Sequence, residues 1–269
     1  MSIPSPFEEL LAVAKGPAGE AVLVVTGAGV SLASGIPTFR GTDPGAVWAN
    51  DVTQKGTRAY YRQSPHQSWL WYLKRFESLK GAQPNDAHRA LAQWQQRQQA
   101  LGREFLLVTQ NIDTLHEQAG SRDFVKVHGS SDLARCTQLT CTHGPPYGTL
   151  PMAEVDFTAL YANPSRETVP RCPVCQSKLR PHVLWFDEYY SEHGSYQFDR
   201  VIRQARKSRL VVFIGTSFSV GITAIVTEEA RIHGAHVFSI DPAGTSPSHD
   251  IQVVAEGAEV ALPRLVASL

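Results

Sequence analysis

The sequence has no excess of charge of either sign: 25 Lys and Arg balance 25 Asp and Glu over 269 residues. That balance excludes an overall field that would gather nucleic acid or an anionic membrane surface, so neither is an expected partner. It also has no apolar run near the roughly 20 residues that a membrane-spanning helix needs. The first stretch, MSIPSPFEELLAVAKG, carries acids before a brief apolar patch, and a soluble, cytoplasmic protein is expected. No internal repeat or low-complexity tract breaks the chain. Cysteine is scarce. The four present stand as two close pairs, Cys136 with Cys141 and Cys172 with Cys175, which in a reducing compartment suggests metal binding in place of disulfides.

What is present points to an α/β protein long enough to bury a substantial core. Short apolar, β-branched runs recur as AVLVV from Ala21, FLLV from Phe105, LVVFI from Leu210 and HVFSI from His236, the pattern of strands buried on both faces. Between them, Ala87, Ala90, Leu91 and Trp94, and again Phe198, Val201, Ile202 and Ala205, keep the spacing of one helix face. Alternation of strand and helix predicts a Rossmann-like, doubly wound parallel sheet. Two regions interrupt the rhythm. The expected division is a core of residues 1–43, 84–128 and 182–269, with a smaller domain from 44–83 (a helical module) and 129–181 (a zinc module).

The stretch VVTGAGVSLASGIPTFRG lacks the third glycine of the dinucleotide fingerprint: Gly27 and Gly29 are followed by Leu32, and the next glycine is Gly35. Small residues after a strand, Gly27, Ala28 and Gly29, are expected to turn amides outward toward a phosphate. A tight strand-to-helix turn without a ligand has the same composition. In VTQNIDTLHEQAG, Gln110, Asn111 and Asp113 follow another strand end, where open α/β sheets bind ligands, although Asn and Asp also cap helices. His128, in VKVHGSS, suits proton transfer near neutral pH. Asp241, after HVFSI, is a candidate acceptor for a ribose hydroxyl or a plain turn acid; Asp43 and Asp51 end no convincing strand. The C-x4-C and C-x2-C pairs bring four thiolates to one tetrahedral zinc, leaving no position open for catalysis, so the metal is expected to be structural.

With these segments in this order, the chain resembles the sirtuins, the NAD-dependent protein deacylases. GAGVSLASGIPTFRG, PNDAH, TQNIDTLHEQAG, VHGS, the two cysteine pairs, RPHVLWFDE and GTSFSV match family blocks from about Ala21 to Asp241. The resemblance implies NAD as co-substrate, one structural zinc, and acyl-lysine proteins or peptides as substrates. It implies a mechanism in which the acyl-lysine carbonyl oxygen attacks C1′ of the nicotinamide ribose, nicotinamide departs, and an alkylimidate forms. It further implies His128 as general base toward a ribose hydroxyl and Asn111 as the residue that positions the ribose and a water, with Gln110 and Asp113 nearby. Gly27, Ala28, Gly29, Phe39 and Arg40 would border the nicotinamide and phosphate end. Gly215, Thr216, Ser217 and Asp241 would serve the adenosine side. Leu184 and Phe186 would line the acyl-lysine tunnel, with the peptide pairing between segments 186–188 and 218–220.

Several residues depart from the commoner family pattern. Thr38 stands where Asp is usual, as in the class III branch that removes acidic acyl groups. Tyr72 and Arg75, in WLWYLKRF, match that branch's Tyr-x-x-Arg pair, one helix turn apart. A phenol and a guanidinium suit the distal carboxylate of a succinyl or malonyl group. Leu184 replaces a valine, Asp187 a glycine, Asp241 an asparagine and Ile222 a proline. The leading expectation is thus a deacylase able to remove acidic acyl groups. The alternatives are a deacylase preferring acetyl, crotonyl or lactyl groups, transfer of ADP-ribose to protein or simple NAD hydrolysis, and a non-enzymatic NAD-sensing module. A monomer is compatible with the composition.

Overall fold

The computed structural model describes residues 3–38 and 52–269. Among these, the strands are β1 (Ala21–Thr26), β2 (Glu104–Thr109), β3 (Val125–Lys126), β4 (Gly129–Cys136), β5 (Leu150–Pro151), β6 (Leu179–Val183), β7 (Leu210–Ile214), β8 (His236–Ile240) and β9 (Gln252–Val254). The helices are α1 (Pro6–Lys15), α2 (Val52–Lys55), α3 (Arg58–Gln63), α4 (Pro65–Glu77), α5 (Asp86–Ala100), α6 (Leu115–Gln118), α7 (Thr158–Ala162), α8 (Phe198–Lys207), α9 (Gly221–Ile232) and α10 (Ala258–Ser268). The four strands and two helices read from the sequence are β1, β2, β7, β8, α5 and α8.

The larger sheet runs β3-β2-β1-β7-β8-β9, and each pairing is parallel. Both faces are buried, which is why its strands read as continuous apolar runs. Val22 and Val24 of β1 join Leu210, Val212 and Ile214 of β7 beneath α1, α5 and α10. Leu23 and Val25 join Val211 and Phe213 on the other face, beneath α8 and α9. Each such side chain contributes about 1.5–3 kcal/mol when fully buried. The chain winds outward through β2 and β3, then returns to build β7, β8 and β9 on the other side of β1. The switch in strand order therefore falls between β1 and β7, and a ligand crevice is expected at the carboxyl ends of the strands there.

Three glycines fix how the loops after β1 and β7 meet. Gly27 N–H donates to Ile214 O at 2.9 Å and Gly29 N–H to Gly215 O at 2.8 Å. A Cβ on Gly29 would stand 2.7 Å from Gly215 Cα, and Gly215 itself holds φ +55°. These two amides are spent on the neighbouring loop, which corrects the expectation that they face a phosphate: the glycines are needed for backbone against backbone. Gly29→Ala is expected to cost about 1–3 kcal/mol through overpacking, a fall in melting temperature of about 2–4 °C per kcal/mol. Unchanged thermal unfolding would contradict this packing role.

The smaller sheet is antiparallel, β5-β4-β6, and carries a bulge in β4 between Gly129 and Ala134. It shares one core with the α4 helix: Trp69, Tyr72 and Phe76 pack with Ala134, Leu150, Leu179 and Val183. Tyr61 Oη and Trp69 Nε1 both donate to Leu179 O, at 2.6 and 2.8 Å. Leu179 is the residue paired with Cys136 across the sheet. Among the described residues, no helix is long and apolar enough to cross a membrane.

Candidate active site

A cleft of about 1170 Å3 opens at the switch point and extends between the two sheets. Its walls include Gly27, Ala28 and Gly29 after β1, Gln110 and Asn111 after β2, Gly215, Thr216 and Ser217 after β7, and Asp241 after β8. His128, Tyr72, Arg75, Leu184 and Phe186 line the same cavity. Asp113 lies instead at a small side pocket with Ala28, Asn111 and Arg75. Phe39 and Arg40 fall outside the described residues.

His128 sits between β3 and β4. Its Nδ1 is 2.9 Å from Gln110 O, an acceptor only, so Nδ1 carries the proton and Nε2 keeps the lone pair. Nε2 in turn lies 3.3 Å from Tyr190 Oη, and the two rings stack at 18°. The imidazole is partly open to the cleft yet lies deep in it; burial pushes its pKa down to about 4, against a smaller upward effect of the Gln110 carbonyl. It is therefore neutral at physiological pH and able to take a proton. The sequence reading missed Tyr190, which opens a three-residue 3-10 turn too short to leave a periodic pattern.

Asn111 and Asp113 are held by a hydroxyl that the sequence reading also missed. Asn111 Nδ2 donates to Gly27 O at 3.0 Å and to Ser31 Oγ at 3.1 Å. Ser31 Oγ donates in turn to Asp113 Oδ2 at 3.0 Å, while Asp113 Oδ1 accepts the Leu115 amide. Asp113 thus opens the short α6 helix and, through Ser31, aims Asn111 at the floor of the cleft. The Gln110 side chain bridges two loops, donating to Thr26 O and Thr216 Oγ1, both at 3.2 Å. Asp241 Oδ1 accepts the Ala243 amide at 2.9 Å, closing an Asx-type turn at the edge of the cleft.

At the far end of the small sheet, the four cysteine sulfurs lie within 4.8 Å of one another. Cys136 Sγ is 3.5 Å from Cys175 Sγ, and Cys141 Sγ is 3.6 Å from Cys172 Sγ. A tetrahedron with zinc–sulfur bonds of about 2.3 Å has edges of about 3.8 Å, so the thiols fit one Zn2+. Each pair is presented by a turn: Gln176 and Thr140 adopt positive φ, and the Gln138 amide donates to Cys136 Sγ at 3.3 Å. Four sulfurs fill the coordination sphere, which suits a structural ion.

A family model described as the Sir2 family matches residues 27–221. The chain belongs to the Sir2 family. It is 36% identical over 225 residues to an NAD-dependent protein deacylase of Thermus thermophilus, covering 83% of this chain and 80% of that protein. It is 34% identical over 242 residues to NAD-dependent protein deacylase 1 of Archaeoglobus fulgidus, covering 89% of each. Among solved structures, a Sir2 homolog in complex with NAD aligns with a TM-score of 0.75 at 31% identity, covering 96% of this chain and 91% of that one. A mutant Sir2 homologue in complex with ADP-ribose aligns with a TM-score of 0.77 at 30% identity, covering 97% and 94%.

Several of the residues singled out in the sequence lie where the small module meets the cleft. Tyr72 and Arg75 point inward from α4 and are 3% and 8% exposed, buried enough to matter to a bound group. Burial lowers the Arg75 guanidinium to about 10, with the Tyr72 phenol opposing that shift. Thr38 lines the same cavity. Asp187 accepts the amides of Arg58 and Ala59 at 2.6 and 3.1 Å, so the carboxylate that replaces a glycine caps α3 and ties the helical module down. Beside it, Phe186 N–H donates to Gly56 O at 3.0 Å, so part of the edge expected to receive a peptide backbone is already paired. Glu188, its side chain 1% exposed, pairs with Arg135 and Arg180 of the small sheet and with Arg58 of α3. Leu184 N–H donates to His128 O at 2.9 Å, placing the cleft's Leu184 wall next to the histidine.

Proposed function

We propose that this chain is an NAD-dependent protein-lysine deacylase that transfers the acyl group to ADP-ribose and releases nicotinamide. The observation that carries the reading is a neutral His128 with its lone pair on Nε2, set deep in a cleft at the switch point of a Rossmann-like sheet. The Sir2 relatives and the NAD and ADP-ribose complexes of structural neighbours support NAD as the occupant. NAD, once bound, supplies the ribose carbon that accepts the acyl oxygen. His128 takes the proton of a ribose hydroxyl at Nε2, and Asn111, aimed by Ser31 and Asp113, orients that ribose. Gly27, Ala28 and Gly29 are assigned to the nicotinamide and phosphate end, and Phe39 and Arg40, which lie outside the described residues, are assigned there by the family resemblance alone. Thr216, Ser217 and Asp241 hold the adenosine side. The same reading keeps the division into a core (1–43, 84–128 and 182–269) and a small domain (44–83 and 129–181), and a cytoplasmic protein with acyl-lysine proteins as partners.

The acyl groups the chain is proposed to remove include succinyl and malonyl, as well as or in place of acetyl. Tyr72 and Arg75 on one inward face, with Thr38 in the same cavity, support this: a guanidinium desolvated among aromatic rings binds a carboxylate more strongly than one in water. Arg75→Met is expected to reduce turnover of succinyl-lysine about 10–100-fold, the worth of a charge-assisted hydrogen bond, and to change acetyl-lysine turnover little. Equal losses on both substrates would assign Arg75 to folding or NAD binding.

The test of the whole reading is NAD-dependent release of lysine from one peptide bearing acetyl, succinyl, malonyl, crotonyl or lactyl groups in turn, with the products weighed by mass spectrometry. O-acyl-ADP-ribose appearing with free lysine is the expected outcome. NAD consumption without lysine release would leave ADP-ribosyl transfer or NAD hydrolysis in its place.

A further inference from the structure

The hydroxyl of Tyr190 contacts the one nitrogen whose lone pair the proposed reaction uses, 3.3 Å from His128 Nε2. Its other partner is the N–H of Ile222, at 3.2 Å. Ile222 is the second residue of α9, so this amide has no carbonyl partner within its own helix. The Tyr190 ring is clamped, stacked on His128 at 18° on one side and on Phe198 at 11° on the other. The two ends of the chain of hydrogen bonds dictate its direction. Ile222 N–H can only donate, so Tyr190 Oη accepts from it; Gln110 O can only accept, so His128 Nδ1 donates to it. The phenol's single proton is left to donate to Nε2. A proline at position 222 would have no N–H to give.

We infer that Tyr190 is a positioning residue for His128, holding the imidazole in the Nδ1–H tautomer with Nε2 turned to the cleft until a ribose hydroxyl takes the place of the phenol's proton. This rests on the deacylase reading. When a ribose oxygen bonds to the imidate carbon, the C=N π pair would move onto the lysine nitrogen and the hydroxyl proton would pass to His128 Nε2. Tyr190 turns its own O–H away and accepts from the new Nε2–H, while the Ile222 amide keeps the phenolic oxygen in place. No proton leaves Tyr190. The phenol thus trades donor for acceptor as the imidazole trades acceptor for donor, and the ring stays where the ribose needs it.

The test is Tyr190→Phe, which keeps both ring stacks and removes only the hydroxyl. Lysine release is expected to fall about tenfold in kcat, the worth of one well-placed hydrogen bond, with KM for NAD within about twofold. Exchange of free nicotinamide into NAD, which precedes the need for His128, is expected to stay at the native rate. Unchanged lysine release, or an equal loss in exchange and in lysine release, overturns the inference. A readout free of turnover is the 15N spectrum of the His128 ring: the native chain is expected to show a protonated Nδ1 and a hydrogen-bonded Nε2, and Tyr190→Phe to move the Nε2 resonance alone. An unmoved Nε2 resonance overturns the inference and leaves the deacylase reading standing. A native chain that releases no lysine overturns the deacylase reading, and the spectrum still decides whether Tyr190 holds His128.

Discussion

His128→Ala is expected to lower lysine release by about 10²–10⁴-fold, the usual worth of a placed general base, with NAD affinity retained when measured by calorimetry. The alanine leaves Asn111, Ser31 and Asp113 bonded to one another, so the residues proposed to orient a ribose keep their arrangement. The pH dependence carries a sign that separates this base from an ordinary histidine. A base works only when neutral. Burial holds His128 near 4, so kcat/KM is expected to stay level as the pH drops through 6.5 and to fall only as the imidazole is protonated near pH 4. An acidic limb centred near 6.5, the value of an unperturbed imidazole, would place His128 in water and remove the argument for its role.

Cys172→Ser has the second large effect expected. Cys172 is fully buried and approaches Cys141 Sγ to 3.6 Å, so a serine leaves a weak oxygen ligand in a sulfur cage. Structural zinc in small sites binds with about 10–16 kcal/mol, comparable to the whole stability of an ordinary domain, about 5–15 kcal/mol. Losing the ion is therefore expected to unfold the β4-β5-β6 module. Metal content should fall from one zinc per chain to none, and amides of Gly129–Cys136 and Leu179–Val183 should lose protection from hydrogen exchange. A variant without metal that remains folded and active would refute the structural role.

The legible parts of the sequence were those whose signal is local. Strands β1, β2, β7 and β8 announced themselves because burial on both faces demands unbroken apolar residues, whereas β9, three residues beginning with exposed Gln252, carries no such mark. The two cysteine pairs were legible because each pair lies within one turn of chain, and Tyr72 with Arg75 because one helical turn separates them. What escaped depends on contacts between distant segments. Nothing around Gly29 says that Gly215 will lie against it, so a turn that packs on backbone reads like one that faces a phosphate. Ser31 has no feature that distinguishes it from Ser34 until Asn111 and Asp113 arrive from β2. Asp187 reads as an added charge beside the cleft, and only the fold brings it to the start of α3.

The carbonyl of Leu179, gripped by Tyr61 and Trp69, ties two parts of the molecule that sequence keeps far apart. Leu179 stands opposite Cys136, and Trp69 lies one helical turn before Tyr72. A metal held by the cysteines would thus set the position of the cleft wall that carries Tyr72 and Arg75. A shift in the register of β6 at the metal would reach Tyr72 and Arg75 as a change in the depth of that cleft. If Tyr72 and Arg75 serve the proposed acyl site, loss of metal is expected to alter acyl preference before it unfolds the module.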